Sequence, residues 1–293
     1  MKPFAFAAPE TLDELFAILR DRGRETRLLA GGTDLIVKLR SGRAVPDLVV
    51  DIKRVGALPR QIEAIDGALR IGAGVTMRTI ASDLRVRRHF PALVEAALVV
   101  GSVQIRNRAT LAGNICNASP AADTAPPLLV YGAIVNAIGP AGPRSLPLAG
   151  FFEGPGRTAL QPSELVSSID LPFPVSPTGA AFGRLTRRRG VDLATLSVCA
   201  LVNARNEGRF AFGAVAPTPI LATDAGAVVT TAGTGGADLS AALRPLFSDA
   251  NPISDVRGSR EYRLAMLDVI TRRTLAAALD RLESGRRRQE HSS

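Results

Sequence analysis

The chain has no tryptophan, only two cysteines and two histidines, and an aromatic content of 4%, and each shortage removes a class of function. Cys116 and Cys199 cannot between them furnish a four-ligand zinc site, an iron–sulfur cluster or a disulfide framework. Any metal chemistry the protein takes part in must then be carried by a partner. His89 and His291 are the only candidate bases for a hydrolase triad; neither lies near a nucleophile motif, and both read as surface histidines. Few aromatics and no zinc-finger pattern argue against nucleic acid, whose bases are gripped by stacking on aromatic rings. No apolar run reaches the ~18 to 20 residues that span a bilayer. The start, "MKPFAFAAPETLDEL", shows no apolar stretch ahead of a small-residue cleavage site. These absences predict a cytoplasmic protein with neither a membrane span nor a nucleic-acid partner.

What the chain does have is length and positive charge. Its 293 residues exceed the roughly 100 to 200 of a single domain, which predicts two domains with a core each. The net charge of +9 gathers in "RLTRRRG" (184–190) and "SGRRRQEHSS" at the C-terminus, as a surface for an acidic protein partner or an anionic cofactor would. An extended "FAFAAP" leads into a helix whose stripe is Leu12, Leu15, Phe16 and Leu19, opened by Thr11 and Asp13 and ended by Gly23. "RLLAGGTDLIVKLRSG" reads as a strand, a glycine turn and a short helix, and "PDLVVDI" as a buried strand. "QIEAIDGALRIGAGVTM" is a hairpin about Asp66-Gly67. Helices are predicted from about Thr76 to Leu84 and from Pro91 to Val100, and "PPLLVYGAIVNAIG" as a helix running into a strand. Three prolines in "LPFPVSPTG" (171–179) predict an inter-domain linker. Beyond it come a hairpin, "TLSVCALVNARNEGRFAFGAVAP", and two helices, "DLSAALRPLF" and "YRLAMLDVITRRTLAAALDRLES". The expected division is residues 1–175, an α+β domain over 176–284, and a disordered basic tail over 285–293.

Two stretches could carry chemistry. In "LLAGGTDL" (28–35) an apolar strand runs into two glycines ahead of a helix, so bare backbone N–H groups could approach a phosphate closely; an ordinary glycine turn has the same look. A dinucleotide fingerprint is missing, because "GAGVTM" has Met77 where the third glycine belongs, and Lys38 stands in no P-loop. "RNRATLAGNICNASPAADTAP" offers a second small-residue turn, Ala112-Gly113-Asn114, with Thr110, Asn114, Asn117 and Ser119 as hydrogen-bonding groups and Asp123 as its only acid. A carboxylate suits sugar hydroxyls and repels phosphate. Two cradles and one acid would fit a diphosphate and a polyol; spacing alone fits equally an irregular connector with Asp123 as a turn residue or helix cap.

"LLAGGTDL", "QIRNRATLAGNICNASPAADTAP", "GAVAPTP" and "DVRGSREYR" occur in this order, and together they resemble the FAD-binding medium subunits of the molybdenum hydroxylases, the family of xanthine dehydrogenase and aerobic carbon monoxide dehydrogenase. The resemblance spans nearly the whole chain. It implies an α+β fold, with a two-subdomain FAD-binding domain of the PCMH/vanillyl-alcohol-oxidase type followed by a smaller α+β domain of the carbon monoxide dehydrogenase flavoprotein type. It implies a noncovalent FAD. Leu28, Leu29, Ala30, Gly31, Gly32, Thr33, Asp34 and Leu35 would form the first diphosphate loop, and Thr110, Gly113 and Asn114 the second. Asn117 and Asp123 would contact the cofactor chain, Asp123 at ribose or ribityl hydroxyls, and Val166 would make an apolar contact. Arg184, at a position usually held by lysine, would lie near the flavin and offset negative charge on its reduced ring.

The resemblance further implies a small subunit with two [2Fe–2S] clusters, a large subunit with the molybdenum (molybdopterin) cofactor that meets the organic substrate, and a dimer of heterotrimers. FAD would pass electrons to NAD+ or another acceptor. Ala112 departs from the pattern, since the second loop commonly has two glycines; a methyl is tolerable there if the backbone is not left-handed. Neither loop offers a histidine for a covalent flavin link, and Cys116 reads as a small buried apolar residue. Two rivals stand beside this reading: a self-contained flavin oxidase or reductase on the same fold, like the enolpyruvyl reductase of cell-wall synthesis, and an assembly module whose flavin no longer turns over.

Overall fold

The computed structural model describes residues 1–21, 23–233 and 239–290. The chain begins β1 (Ala5–Ala7), α1 (Leu12–Leu19), β2 (Thr26–Leu29), α2 (Leu35–Arg40) and β3 (Leu48–Asp51), with β3 central and parallel to both neighbours. Parallel neighbours need crossovers, which the two helices supply. Thr11 caps α1 as expected, its side chain accepting the Glu14 N–H, while Asp13 is an acid of the first turn. Leu15 and Phe16 bury against Leu48 and Val50. The helix ends at Leu19, so Gly23 lies beyond it rather than ending it.

Next come β4 (Ile62–Ile65), β5 (Ala68–Gly72), α3 (Met77–Ser82), α4 (Leu84–His89), α5 (Pro91–Val99), α6 (Val103–Arg106), α7 (Leu111–Cys116), α8 (Ala125–Val130), β6 (Ile134–Gly139), β7 (Gly142–Pro147), β8 (Phe152–Gly154), β9 (Arg157–Thr158) and β10 (Leu165–Pro172). Five of these strands form an antiparallel sheet in the order β4-β5-β10-β6-β7. The β4–β5 hairpin turns at Gly67, whose φ of 69° suits glycine. The helix expected from Thr76 to Leu84 is α3, and a second helix that was not expected, α4, follows it directly. Asp83, with extended backbone, ends α3 and caps α4 by accepting the Arg85 and Val86 N–H groups. The expected linker is shorter than its prolines suggest. Pro172 still pairs with Ala68 at the end of β10, where a missing N–H is tolerated, which leaves residues 173–177 between strands.

The chain closes with the antiparallel meander β11 (Thr178–Leu185), β12 (Leu196–Asn203), β13 (Gly208–Gly213) and β14 (Ile220–Asp224), then α9 (Ala227–Gly233), α10 (Leu239–Leu243) and α11 (Arg260–Glu290). The 31 residues of α11 make a helix about 46 Å long. It runs past 284, so 285–290 are helical and not the disordered tail expected; the rest of that tail, 291–293 with His291, falls outside the described residues. One face of the meander packs on α11 through Ala181, Val198, Ala200 and Phe212. The other face contributes Ala180, Cys199, Leu201 and Ala211 to the core of the five-stranded sheet. Glu95 on α5 accepts the Phe182 N–H of β11 at 2.9 Å and pairs with Arg281 of α11, tying three elements together. Among the described residues no helix is long and apolar enough to cross a membrane.

Candidate cofactor site

The first glycine loop follows β2. Gly32 takes a left-handed φ of 77°, and its carbonyl accepts the Ile36 N–H as α2 begins. A Cβ on Gly31 would lie 2.0 Å from the Arg108 carbonyl oxygen and 3.1 Å from Ala109 Cα. The first loop therefore rests directly on the backbone that leads into the second. Here the expected turn is the start of a helix: Thr110 caps α7, its Oγ1 accepting the Gly113 N–H at 3.1 Å. Ala112 is buried in the first turn of that helix, away from any left-handed backbone, which removes the objection to its methyl group. Gly113 also packs closely, since a Cβ would lie 2.8 Å from Thr110 Oγ1 and 4.0 Å from Ala30 Cβ.

Side chains lock the loops together. Lys38 Nζ donates to Asn117 Oδ1 at 2.6 Å, and Asn117 Nδ2 donates to Asp34 Oδ1 at 3.4 Å. Thr124 Oγ1 donates to Asn114 Oδ1 at 2.6 Å. Lys38 was given no part by sequence reasoning. Its place four residues after Asp34, on one face of a short helix, was the available signal. A cavity of about 120 Å³ opens at this junction, with Ala30, Gly31 and Thr110 in its wall beside Gly74, Thr76, Lys53, Arg60 and Arg108. Those three cations were also missed. Lys53 is paired with Asp51, while the guanidinium groups of Arg60 and Arg108 have no ion pair among the described residues. Leu28, Leu29, Thr33 and Leu35 are half-buried around the turn. Val166 is buried in the core on β10 and is not part of that wall.

Asp123, expected at ribose or ribityl hydroxyls, and Arg184, expected near the flavin, are brought into contact. Arg184 Nη1 donates to Asp123 Oδ2 at 3.0 Å, with both side chains largely buried. Asp123 Oδ1 is buried and has no hydrogen-bond partner among the described residues. Burial pushes the Asp123 carboxyl up to about 6, against the opposing pull of Arg184. The loop carrying it lies on a row of the meander, Arg184 beside Ser197 beside Gly213, and the Pro120 carbonyl accepts the Ala214 N–H at 2.7 Å. Ala118 (φ 43°) and Ala214 (φ 62°) are left-handed without being glycine. Such residues cost about 1–3 kcal/mol and collect where a loop must be held in one shape. Cys116 is half-buried, and burial pushes its thiol up to about 12, so it stays protonated at neutral pH.

These residues fit FAD. Two glycine loops in direct backbone contact at the wall of a cavity suit a diphosphate, and an orphaned, buried carboxylate oxygen suits a sugar hydroxyl. Residues 2–174 match the family described as the FAD binding domain in molybdopterin dehydrogenase, and residues 181–278 match the CO dehydrogenase flavoprotein C-terminal domain. The xanthine dehydrogenase FAD-binding subunit of Escherichia coli O157:H7 is 35% identical over 274 residues, 92% of this chain and 94% of that one. The carbon monoxide dehydrogenase medium chain of Hydrogenophaga pseudoflava is 31% identical over 280 residues, 94% of this chain and 96% of that one. Among solved structures, carbon monoxide dehydrogenase from Hydrogenophaga pseudoflava superposes with a TM-score of 0.86 at 30% identity over 96% of this chain and 99% of that one. Quinoline 2-oxidoreductase from Pseudomonas putida 86 does so with a TM-score of 0.85 at 28% identity over 97% and 99%. Interlocked glycine loops, a buried acid with an unpaired oxygen and matches along nearly the full length agree, and the chain belongs to the family of FAD-binding subunits of xanthine and carbon monoxide dehydrogenases, which are oxidoreductases.

Proposed function

We propose that this chain is the FAD-carrying electron-transfer subunit of a molybdenum hydroxylase complex, with a FAD-binding domain over 1–175 and an α+β domain over 176–284. The flavin, when bound, supplies the redox chemistry, taking electrons from the [2Fe–2S] clusters of a small subunit and handing them to NAD+ or another acceptor. The chain's own residues bind and orient. Backbone N–H groups around Gly31, Gly32 and Gly113 meet the diphosphate. Asn117, held by Lys38 and Asp34, fixes the spacing of the two loops. Asp123 accepts from a sugar hydroxyl through its free oxygen, and this orphaned acceptor is the observation that carries the assignment. A charge-assisted hydrogen bond of this kind contributes about 2 kcal/mol, or some thirtyfold in affinity. Asp123→Ala is accordingly expected to fold normally and lose most of its FAD on dialysis; flavin occupancy equal to the parent would remove Asp123 from the site. Two free cysteines suit a reducing, cytoplasmic setting.

Partner binding is assigned to the loops 186–194 and 251–260, which are bonded to each other through Arg187 Nη1 and the Val256 carbonyl at 3.0 Å. They expose Val191 (52%), Leu193 (50%), Ile253 (68%) and Val256 (82%). Around these stand the exposed Arg188 and Arg189, while Asp192 and Asp255 are engaged by arginines. An apolar centre ringed by arginine is the composition of a protein interface that meets an acidic rim. The assembly would be a small iron–sulfur subunit, a large subunit with the molybdopterin cofactor and this chain, paired as a dimer of heterotrimers. Charge reversal, R188E with R189E, should weaken recovery of the partner subunits with this chain by about tenfold and leave FAD content unchanged. Undiminished recovery at moderate salt would move the interface elsewhere.

A further inference from the structure

The resemblance places Arg184 near the flavin, as a cation that offsets negative charge on the reduced ring, yet its guanidinium is already committed. Nη1 donates to Asp123 Oδ2 at 3.0 Å and to the Asp192 carbonyl at 3.5 Å, and the side chain is only 14% exposed. Asp123 has one oxygen held by Arg184 and the other buried and unpaired. We propose that Arg184 is a positioning residue, acting on the cofactor through Asp123: it occupies one carboxylate oxygen so that the other, ionised and free, faces a cofactor hydroxyl. This rests on the reading of Asp123 as a cofactor ligand.

The surroundings support the division of labour. A carboxylate this buried is desolvated, and desolvation favours the protonated form. Arg184, on β11, is the charged group that acts against it. The other charges nearby are turned to one another: Asp192 Oδ1 is 3.6 Å from Arg187 Nη2, and Asp192 Oδ2 is 3.9 Å from Arg188 Nε. Ser197, next to Arg184 across the sheet, carries no charge, and its buried hydroxyl has no partner among the described residues. The loop on the other side brings Asn114 and Thr124, which bond to each other. With Arg184 gone, nothing offsets desolvation, and the carboxyl rises further from its position near 6 toward the neutral range. A protonated carboxyl has a hydrogen to place and is a poor acceptor. FAD affinity should therefore be high above the Asp123 pKa and fall as pH drops through it, and removing Arg184 should move that fall to higher pH.

The test is the FAD dissociation constant of the full-length chain from pH 5 to 9, with the flavin midpoint potential as a second readout. The parent should tighten as pH passes about 6 and then level off. Arg184→Gln should shift this rise upward by at least one pH unit, leaving binding at least about twofold weaker at pH 7, about fivefold or more weaker at pH 6, and close to the parent by pH 9. Arg184→Lys should restore the parent profile, Asp123→Asn should give a flat one, and none of the arginine variants should move the potential at high pH. An Arg184→Gln that binds FAD more weakly by one factor at every pH, or that keeps the parent profile, overturns the proposal; so does a shifted potential with an unshifted profile, which would put the guanidinium on the ring itself. A parent chain that takes up no FAD at any pH would instead overturn the cofactor assignment.

Discussion

Gly31→Ala is expected to give a folded protein without bound flavin. The added carbon would stand 2.0 Å from the Arg108 carbonyl oxygen and 3.1 Å from Ala109 Cα. Both are backbone atoms, so no side chain can rotate away. Relief must come from parting the loops at residues 30–33 and 108–113, and overpacking of this kind costs about 1–3 kcal/mol. The proposed diphosphate site spans that junction, so the cost falls on binding more than on folding. Gly32 makes the contrast. Its left-handed φ strains any other residue by roughly 1–2 kcal/mol, but a Cβ there would meet only the tips of Leu29 at 3.0 Å and Ile36 at 3.4 Å. Gly32→Ala should keep part of its FAD and Gly31→Ala almost none, as read by visible absorbance against protein after gel filtration. A fully yellow Gly31→Ala protein would show that the loops do not meet as described.

Gly179→Ala should have the largest effect on stability. Its Cβ would lie 2.0 Å from the Ala278 carbonyl oxygen and 2.6 Å from the Leu282 N, where α11 crosses β11. Helix and strand backbones touch there, and the helix has to lift along its length. A penalty of about 3 kcal/mol or more follows, roughly 6–12 °C in Tm for a domain of this size. Gly183→Ala is the control on the same strand, because the atom in its way is the Thr274 hydroxyl at 2.4 Å, a side chain that can turn. Equal melting temperatures for the two variants would contradict the described contact.

The strands were legible wherever one face alternates or a turn residue marks the bend, as at Asp66-Gly67 and between β12 and β13. Three of the short helices were not. α4, α6 and α7 have six residues or fewer, too short for a 3.6-residue period to register, and are set by single caps: Asp83, Ser102 and Thr110. The "LAGNIC" stretch looked like a turn because its glycine and alanine carry no pattern, while the Thr110 cap three residues before Gly113 is easily overlooked. The end of α11 was misread at Gly285 and the arginines after it, which suggest a solvated tail, although Glu283 and Arg287 stand one helical turn apart and pair at 3.7 Å. Within the site, each loop could be found from its residues and its order in the chain. The Asp123–Arg184 contact could not, because it joins residues 61 apart through the fold of the meander.

The meander is covered on both sides, by α11 and by the core of the five-stranded sheet. Residues 173–177 consequently join two bodies that cannot swing apart without wetting Ala180, Cys199, Leu201 and Ala211. A C-terminal fragment made alone would present that face to its neighbours and clump, and the whole chain should melt in a single step. A subunit that carries electrons, as proposed, would then pass them through a frame that keeps its shape.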